Sequence, residues 1–235
     1  MIETFTERTV GEVVAEDWRT AALFERFGID FCCGGRRSVA EACRQSGVEA
    51  AAVERAILEL PHMAPDDDES RWTTNQLVDH IVLTHHAYVR SALPRIAAYL
   101  GKLIEVHGTR HPELTKIEGC FGALARELLQ HMLKEEHVLF PYIRELAGAA
   151  RPAPCPFGTI ENPIRMMERE HEEAGGLLEE LRELTNNYAA PADGCATYRV
   201  CFSELAEFER DLHRHVHLEN NVLFPRAVAL ETARR

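Results

Sequence analysis

The feature that most narrows what this chain can fold into is a segment that occurs twice. HMLKEEHVLFP (131–141) and HVHLENNVLFP (215–225) share their His, Glu, Val, Leu, Phe and Pro positions. One turn upstream each copy carries an acid, Glu127 before His131 and Asp211 before His215. Each therefore reads acid-x3-His-x3-Glu-x4-Phe-Pro. Neighbouring apolar residues recur at three- and four-residue intervals, which is the helical period. Residues four apart on a helix share one face, one turn apart. Each copy thus lines a carboxylate, an imidazole and a second carboxylate along one stripe.

The same period extends over most of the chain, and almost no strand pattern is visible. Four long helical stretches are predicted, roughly Thr73–Val106, Glu113–Leu146, Pro163–Thr185 and Thr197–Leu230. The breaks between them, HGTRHP, AGAARPAPCPFG and TNNYAAPADG, are loaded with Gly or Pro. Pro94 falls inside the first stretch and is expected to kink it. Four helices with short connections favour an antiparallel up-down bundle. Ahead of them, from Thr6 to Leu60, short helices are separated by Gly28, Gly34, Gly35 and Gly47, read as C-terminal caps and turns. The expected fold class is all-α: a small helical domain over 1–62, a Pro- and Asp-rich linker over 63–72, and the bundle over 73–235.

The repeated segments fall on the second and fourth bundle helices. The first and third each carry an inward candidate, His86 and His171. His171 precedes His215 by nearly the interval that separates His86 from His131. The bundle is thus two similar halves, each supplying one His and then one His-x3-Glu. Folded together, His86, His131, Glu135, His171, His215 and Glu219 converge on one interior point. Imidazole suits iron, copper or zinc, and carboxylates add hard oxygens that bridge two metals. Bundle interiors carrying such motifs on facing helices are where di-iron and di-manganese sites form. Two bridging Glu and two terminal His per ion leave room for an oxygen bridge and a small exogenous ligand. A single His-x3-Glu is ordinarily a solvated pair on a helix surface. Two copies in matching positions, embedded among apolar neighbours, are not explained that way.

Spacing alone leaves His85 nearly as good as His86, because both lie on plausible core stripes. His80, His107, His111, His137, His213 and His217 are read as surface residues or as supports for the ligands. Glu127 and Asp211 are candidates to orient a ligand imidazole by accepting its other N–H, and Glu170, beside His171, is a third. The competing reading for each is a solvated helix charge.

Composition closes off other functions. The formal net charge of -12 argues against a nucleic-acid surface, which needs clustered Lys and Arg. No apolar run approaches the ~20 residues of a membrane span. The start, MIETFTERTV, lacks the basic and apolar stretches of a secretion signal, so a cytoplasmic protein is expected. The seven cysteines are scattered, and in a reducing compartment they are expected to be free, catalytic or metal-linked. Cys43, Cys120, Cys195 and Cys201 lie in helical patterns and read as core, and Cys155, between prolines, as an exposed loop thiol. Cys32 and Cys33, in DFCCGG (30–35), either relay iron, sulfur or electrons as thiols or simply fill a helix end capped by Gly34 and Gly35.

DFCCGG, the HMLKEEHVLFP segment, EHEEAG (170–175) and HVHLENNVLFP occur in the order found in the RIC (repair of iron centres) proteins of the ScdA/YtfE type, which this sequence resembles over nearly its whole length. The resemblance implies a short ScdA-type N-terminal domain followed by a hemerythrin-like bundle. It implies two non-haem iron ions held by His86, His131, Glu135, His171, His215 and Glu219, with the two Glu bridging, and so favours His86 over His85. It also implies a role in restoring iron-sulfur clusters damaged by nitric oxide or oxidants through donated iron, with Cys32 and Cys33 as working thiols. Damaged iron-sulfur proteins and a small gas, nitric oxide or oxygen, are the expected partners. Family members include monomers and dimers. The alternatives are a hemerythrin-like carrier or sensor of oxygen or nitric oxide, and an enzyme reducing nitric oxide or nitrite. The thiol-bearing N-terminal domain disfavours a simple carrier, and no flavin or nucleotide motif supplies an enzyme with electrons.

Overall fold

The computed structural model describes residues 4–60, 72–148 and 155–234. Those residues form helices joined by turns and loops, with one isolated bridge between Thr9 and Ser38 and no strand among them. The segment 63–72, expected to be a linker, lies outside the described residues except for Trp72. Contacts divide the chain into two compact units: residues 1–79 with 143–160 and 214–235, and residues 80–142 with 161–213. The C-terminal segment therefore groups with the N-terminal helices, a division that differs from the sequence boundaries.

In the first unit, α1 (Val10–Glu16), α2 (Thr20–Arg26), α3 (Val39–Ser46) and α4 (Ala50–Leu58) are short helices. Their ends are written in the sequence. Thr9 and Glu12 form a reciprocal capping box, with the Thr9 N–H donating to Glu12 Oε2 at 2.8 Å and the Glu12 N–H to Thr9 Oγ1 at 3.2 Å. Ser38 caps α3 by accepting from the Glu41 N–H at 3.2 Å. Gly47 ends it in the left-handed conformation, φ 67°, that glycine adopts without strain. α2 packs on α1 and α4, and α3 on α4, around Val10, Val14, Phe24, Val39 and Val53. α5 (Thr74–His80), α8 (Phe140–Gly148), α10 (Ala196–His217) and α11 (Phe224–Thr232) reach into or lie within this unit.

In the second unit, α6 (Ala87–His107) packs on α7 (Glu113–Lys134), and α7 on α9 (Glu161–Leu184). The core between them is Leu100, Leu103, Ile117, Phe121, Leu124 and Leu178, all buried at the spacing expected of an amphipathic face. Pro94 sits within α6, and the helix continues through it. Asn186 and Asn187 take left-handed conformations in the turn after α9, as Asn does most readily among non-glycine residues.

Three π-helical turns interrupt the long helices: Ile81–His86, Glu135–Leu139 and Leu218–Leu223. Two fall at the same place in the repeated segment. The Phe140 N–H donates to the Glu135 carbonyl, and the Phe224 N–H to the Glu219 carbonyl, each five residues back. The proline that follows each Phe has no N–H and crowds the carbonyl four residues behind it. A turn widened by one residue accommodates that break, and the helix then continues into α8 or α11. Such turns concentrate at functional sites because they re-aim side chains. No helix among the described residues is long and apolar enough to cross a membrane.

Candidate metal centre

His86 closes the first π-turn and is fully buried, stacked on Phe140 with ring centroids 5.8 Å apart. Its Nδ1–H donates to Glu136 Oε1 at 2.6 Å, which turns Nε2 toward the interior. His131, in the last turn of α7, repeats the arrangement, its Nδ1–H donating to Glu170 Oε2 at 2.9 Å. Between these two imidazoles stands Glu135, fully buried at the start of the second π-turn. Its Oε2 is 3.3 Å from His86 Nε2 and its Oε1 is 3.3 Å from His131 Nε2. His171, on α9, brings its Nε2 to 2.9 Å from that of His131. On the last copy of the repeat, His215 Nε2 lies 3.0 Å from Glu219 Oε1.

In the second unit His86, Glu135, His131 and His171 bring their ligand atoms together, and in the first unit His215 meets Glu219. Two ligand atoms about 2.1 Å from an ion and at right angles to each other lie about 3 Å apart, which is the spacing of these nitrogens and oxygens. The donors are imidazole nitrogens and carboxylate oxygens, a set suited to iron and equally hospitable to zinc or manganese. Buried carboxylates need positive charge beside them, which a bound cation supplies. The cluster fits a bound cation.

The supporting carboxylates are kept ionised. The hydrogen bond from His131, with that from Lys134, outweighs burial and holds the Glu170 carboxyl down at about 2. For Glu136 burial pushes the other way, but hydrogen bonds from His86 and Arg90 prevail and its carboxyl sits below the usual range. An ionised carboxylate can only accept, so the Nδ1 proton of each imidazole is held in place. Beside His131 and His171 a cleft of about 330 Å³ opens, lined also by Arg126, Glu127, Lys134 and Glu173.

The structure places the sequence candidates unevenly. His86, His131, Glu135, His171, His215 and Glu219 are all buried. Glu170 is hydrogen-bonded to the His131 imidazole. Glu127 is exposed at the edge of the cleft. Asp211 takes its hydrogen bond from His85 Nδ1 at 2.9 Å, so His85 is buried in a separate pair. Among the histidines read as surface or supporting, His137 is exposed, whereas His107 and His217 are buried. Cys43, Cys120 and Cys201 are buried, but Cys195 is exposed, because it precedes α10 instead of lying inside it. Cys32 is buried and Cys33 half-buried, with sulfurs 3.9 Å apart, and Cys155 is half-buried.

Glu136 and Lys134 were not singled out from the sequence. The signal against Glu136 was the repeat itself: its counterpart is Asn220, so comparing the copies discards it. The signal that could have found it is a carboxylate next to a ligand, the same relation that pointed to Glu170.

Comparison with known proteins adds an independent line. The hemerythrin HHE cation binding domain matches residues 77–227, and the ScdA_N domain, a domain of unknown function, matches residues 6–61. A protein of Enterobacter sp. (strain 638) named iron-sulfur cluster repair protein YtfE is 34% identical over 227 residues, covering 97% of this chain and 99% of that protein. Proteins of the same name from Citrobacter koseri and Musicola paradisiaca are 34% and 36% identical, over 231 and 227 residues. These cover 97% and 95% of this chain and 100% and 97% of those proteins.

Proposed function

The chain belongs to the family of the YtfE iron-sulfur cluster repair proteins, and from that premise we propose that it repairs iron-sulfur clusters damaged by nitrosative or oxidative stress by donating iron from its bundle. The observation that carries this reading is Glu135, whose two oxygens face two different imidazoles, each at 3.3 Å. A carboxylate placed so suits a bridge between two ions. Glu219, 3.0 Å from His215, is the matching carboxylate of the second copy and the second bridge in this reading. In this account His86 and His215 complete one ion's protein ligands, and His131 and His171 the other's.

Bound iron supplies both the cargo and a place where a small gas, nitric oxide or oxygen, can attach. The chain's own residues do the rest. Glu136 and Glu170 hold two imidazoles in the tautomer that presents Nε2. Lys134, paired with Glu170, offsets the charge of that carboxylate. The cleft beside His131 and His171 gives iron a way out of an otherwise buried cluster. Cys32 and Cys33 are the thiols that receive it, and the partners are damaged iron-sulfur proteins in the cytoplasm. The same cleft also suits a gas-binding module, in which the iron would stay in place.

Repair of a nitric-oxide-damaged iron-sulfur enzyme by the iron-loaded protein tests the proposal. Recovered enzyme activity is expected to track iron lost from this protein, and to slow in a Cys32→Ser, Cys33→Ser double variant. Tightly retained iron with reversible gas binding and no recovery would support the gas-binding module instead.

A further inference from the structure

The DFCCGG loop is fastened from two sides. From within, Asp30 acts as its anchor: Oδ1 accepts from the Cys32 N–H at 3.0 Å, the Cys33 N–H at 3.1 Å and the Cys32 thiol at 3.2 Å, and Oδ2 from the Gly34 N–H at 2.7 Å. From outside comes Asn221, two residues beyond Glu219 on the third π-turn. Its amide Nδ2 donates toward the carbonyls of Phe31 at 3.4 Å and Cys32 at 3.3 Å, and toward His217 Nδ1 at 3.2 Å. Its Oδ1 lies in a cradle that only glycine permits. A Cβ at Gly11 would stand 2.4 Å from that oxygen, and one at Gly35 2.5 Å.

Gly35 is therefore a glycine for close approach, not for a left-handed turn, and the same holds at Gly11. The cradle is itself tied together, the Gly11 N–H donating to the Gly35 carbonyl at 2.8 Å. His217 packs its ring on Phe31, with centroids 5.9 Å apart, and so covers the loop beside the amide. The first copy of the repeat has His137, exposed, where the second has Asn221. Only the second copy carries this device.

We propose that Asn221 is the positioning residue of the thiol pair: it clamps the loop against the turn that bears Glu219, holding Cys32 inward and leaving Cys33 as the thiol that meets a partner. That assignment gives the pair an order, one held and one offered. It deepens the iron-relay reading and rests on it, since in that reading the offered sulfur is the one that takes the iron.

Mass-resolved iodoacetamide labelling of the full-length protein, followed by fragmentation of the peptide holding both cysteines, tests it. In the wild type Cys33 should react about tenfold or more ahead of Cys32. In Asn221→Ala, and in the near-isosteric Asn221→Asp, which turns the donor into an acceptor against two carbonyls, Cys32 should come within about threefold of Cys33. Buried Cys120 serves as the internal control and should keep its wild-type rate. Cys32 remaining slow in both variants overturns the proposal. So does an equal acceleration of Cys32 and Cys120, since the amide would then be holding the fold and not the loop. The iron relay is judged separately. If the Cys32→Ser, Cys33→Ser double variant repairs clusters at the wild-type rate, that reading falls, and the labelling order still decides the clamp.

Discussion

Replacing Glu136 isolates the contribution of one residue that touches no ion. His86 is fully buried and its Nδ1–H reaches Glu136 at 2.6 Å, a short, charge-assisted bond. The same oxygen also accepts from Arg90, whose side chain is 39% exposed and can turn to water when Glu136 is lost. The cost of substitution therefore falls on His86. Loss of such an outer carboxylate weakens metal binding about 10- to 100-fold, or about 1.4–2.7 kcal/mol. Glu136→Gln keeps an acceptor and loses the charge, so it belongs near the lower end. Glu136→Leu loses both and leaves the His86 Nδ1–H buried without that acceptor, so it belongs near the upper end. Competition against a chromophoric iron chelator without oxygen measures the affinity, and thermal unfolding of the metal-free proteins controls for fold. A folded Glu136→Leu protein that binds iron within about twofold of the wild type would refute the assigned role.

Removing the metal should lower the melting temperature. A cation at 100 times its dissociation constant adds about 2.7 kcal/mol, hence roughly 5–11 °C for a chain of this size, and calorimetry with and without chelator checks it. His111 is held by Glu113 and Asp193, whose hydrogen bonds raise its imidazole above the usual value. Its contribution is therefore full below about pH 6.5 and is lost as the pH rises through the folded value, so the melting difference between wild type and His111→Gln should shrink from pH 5.5 to 8.5. Cys195, exposed and lowered in pKa by backbone N–H donors from Tyr198 and Thr197, should alkylate ahead of Cys120 and Cys201, which burial pushes up to about 11 and about 12. Peptide mass mapping after brief alkylation at neutral pH gives that order.

The bundle helices and the burial of the repeated His and Glu are legible because a helix converts spacing directly into direction, and a duplicated pattern repeats the message. Glu136 is not, because its role depends on where His86 of another helix arrives, and the repeat holds Asn220 in its place. His217 reads as a surface or supporting residue, yet it is buried. The surface it faces belongs to Phe31, remote in sequence, so its burial is invisible before folding. Cys195 reads as helical since apolar spacing begins beside it, whereas a helix start depends on which backbone amides lack partners. Gly35 reads as a turn residue, whereas the Asn221 side chain and the Phe31 carbonyl show that space, not backbone angle, excludes a Cβ there. The π-turns have a sequence trace, Phe-Pro after the ligand Glu, but periodicity alone treats a widened turn and a regular one alike.

The central claim is that the cluster of Glu135 and Glu219 with four histidines holds iron. Metal analysis of protein prepared without oxygen, beside a Glu135→Ala, Glu219→Ala variant, tests it most directly. About two irons per chain in the wild type and almost none in the folded variant is the predicted result. Zinc in place of iron, or iron content unchanged by the two substitutions, would contradict it.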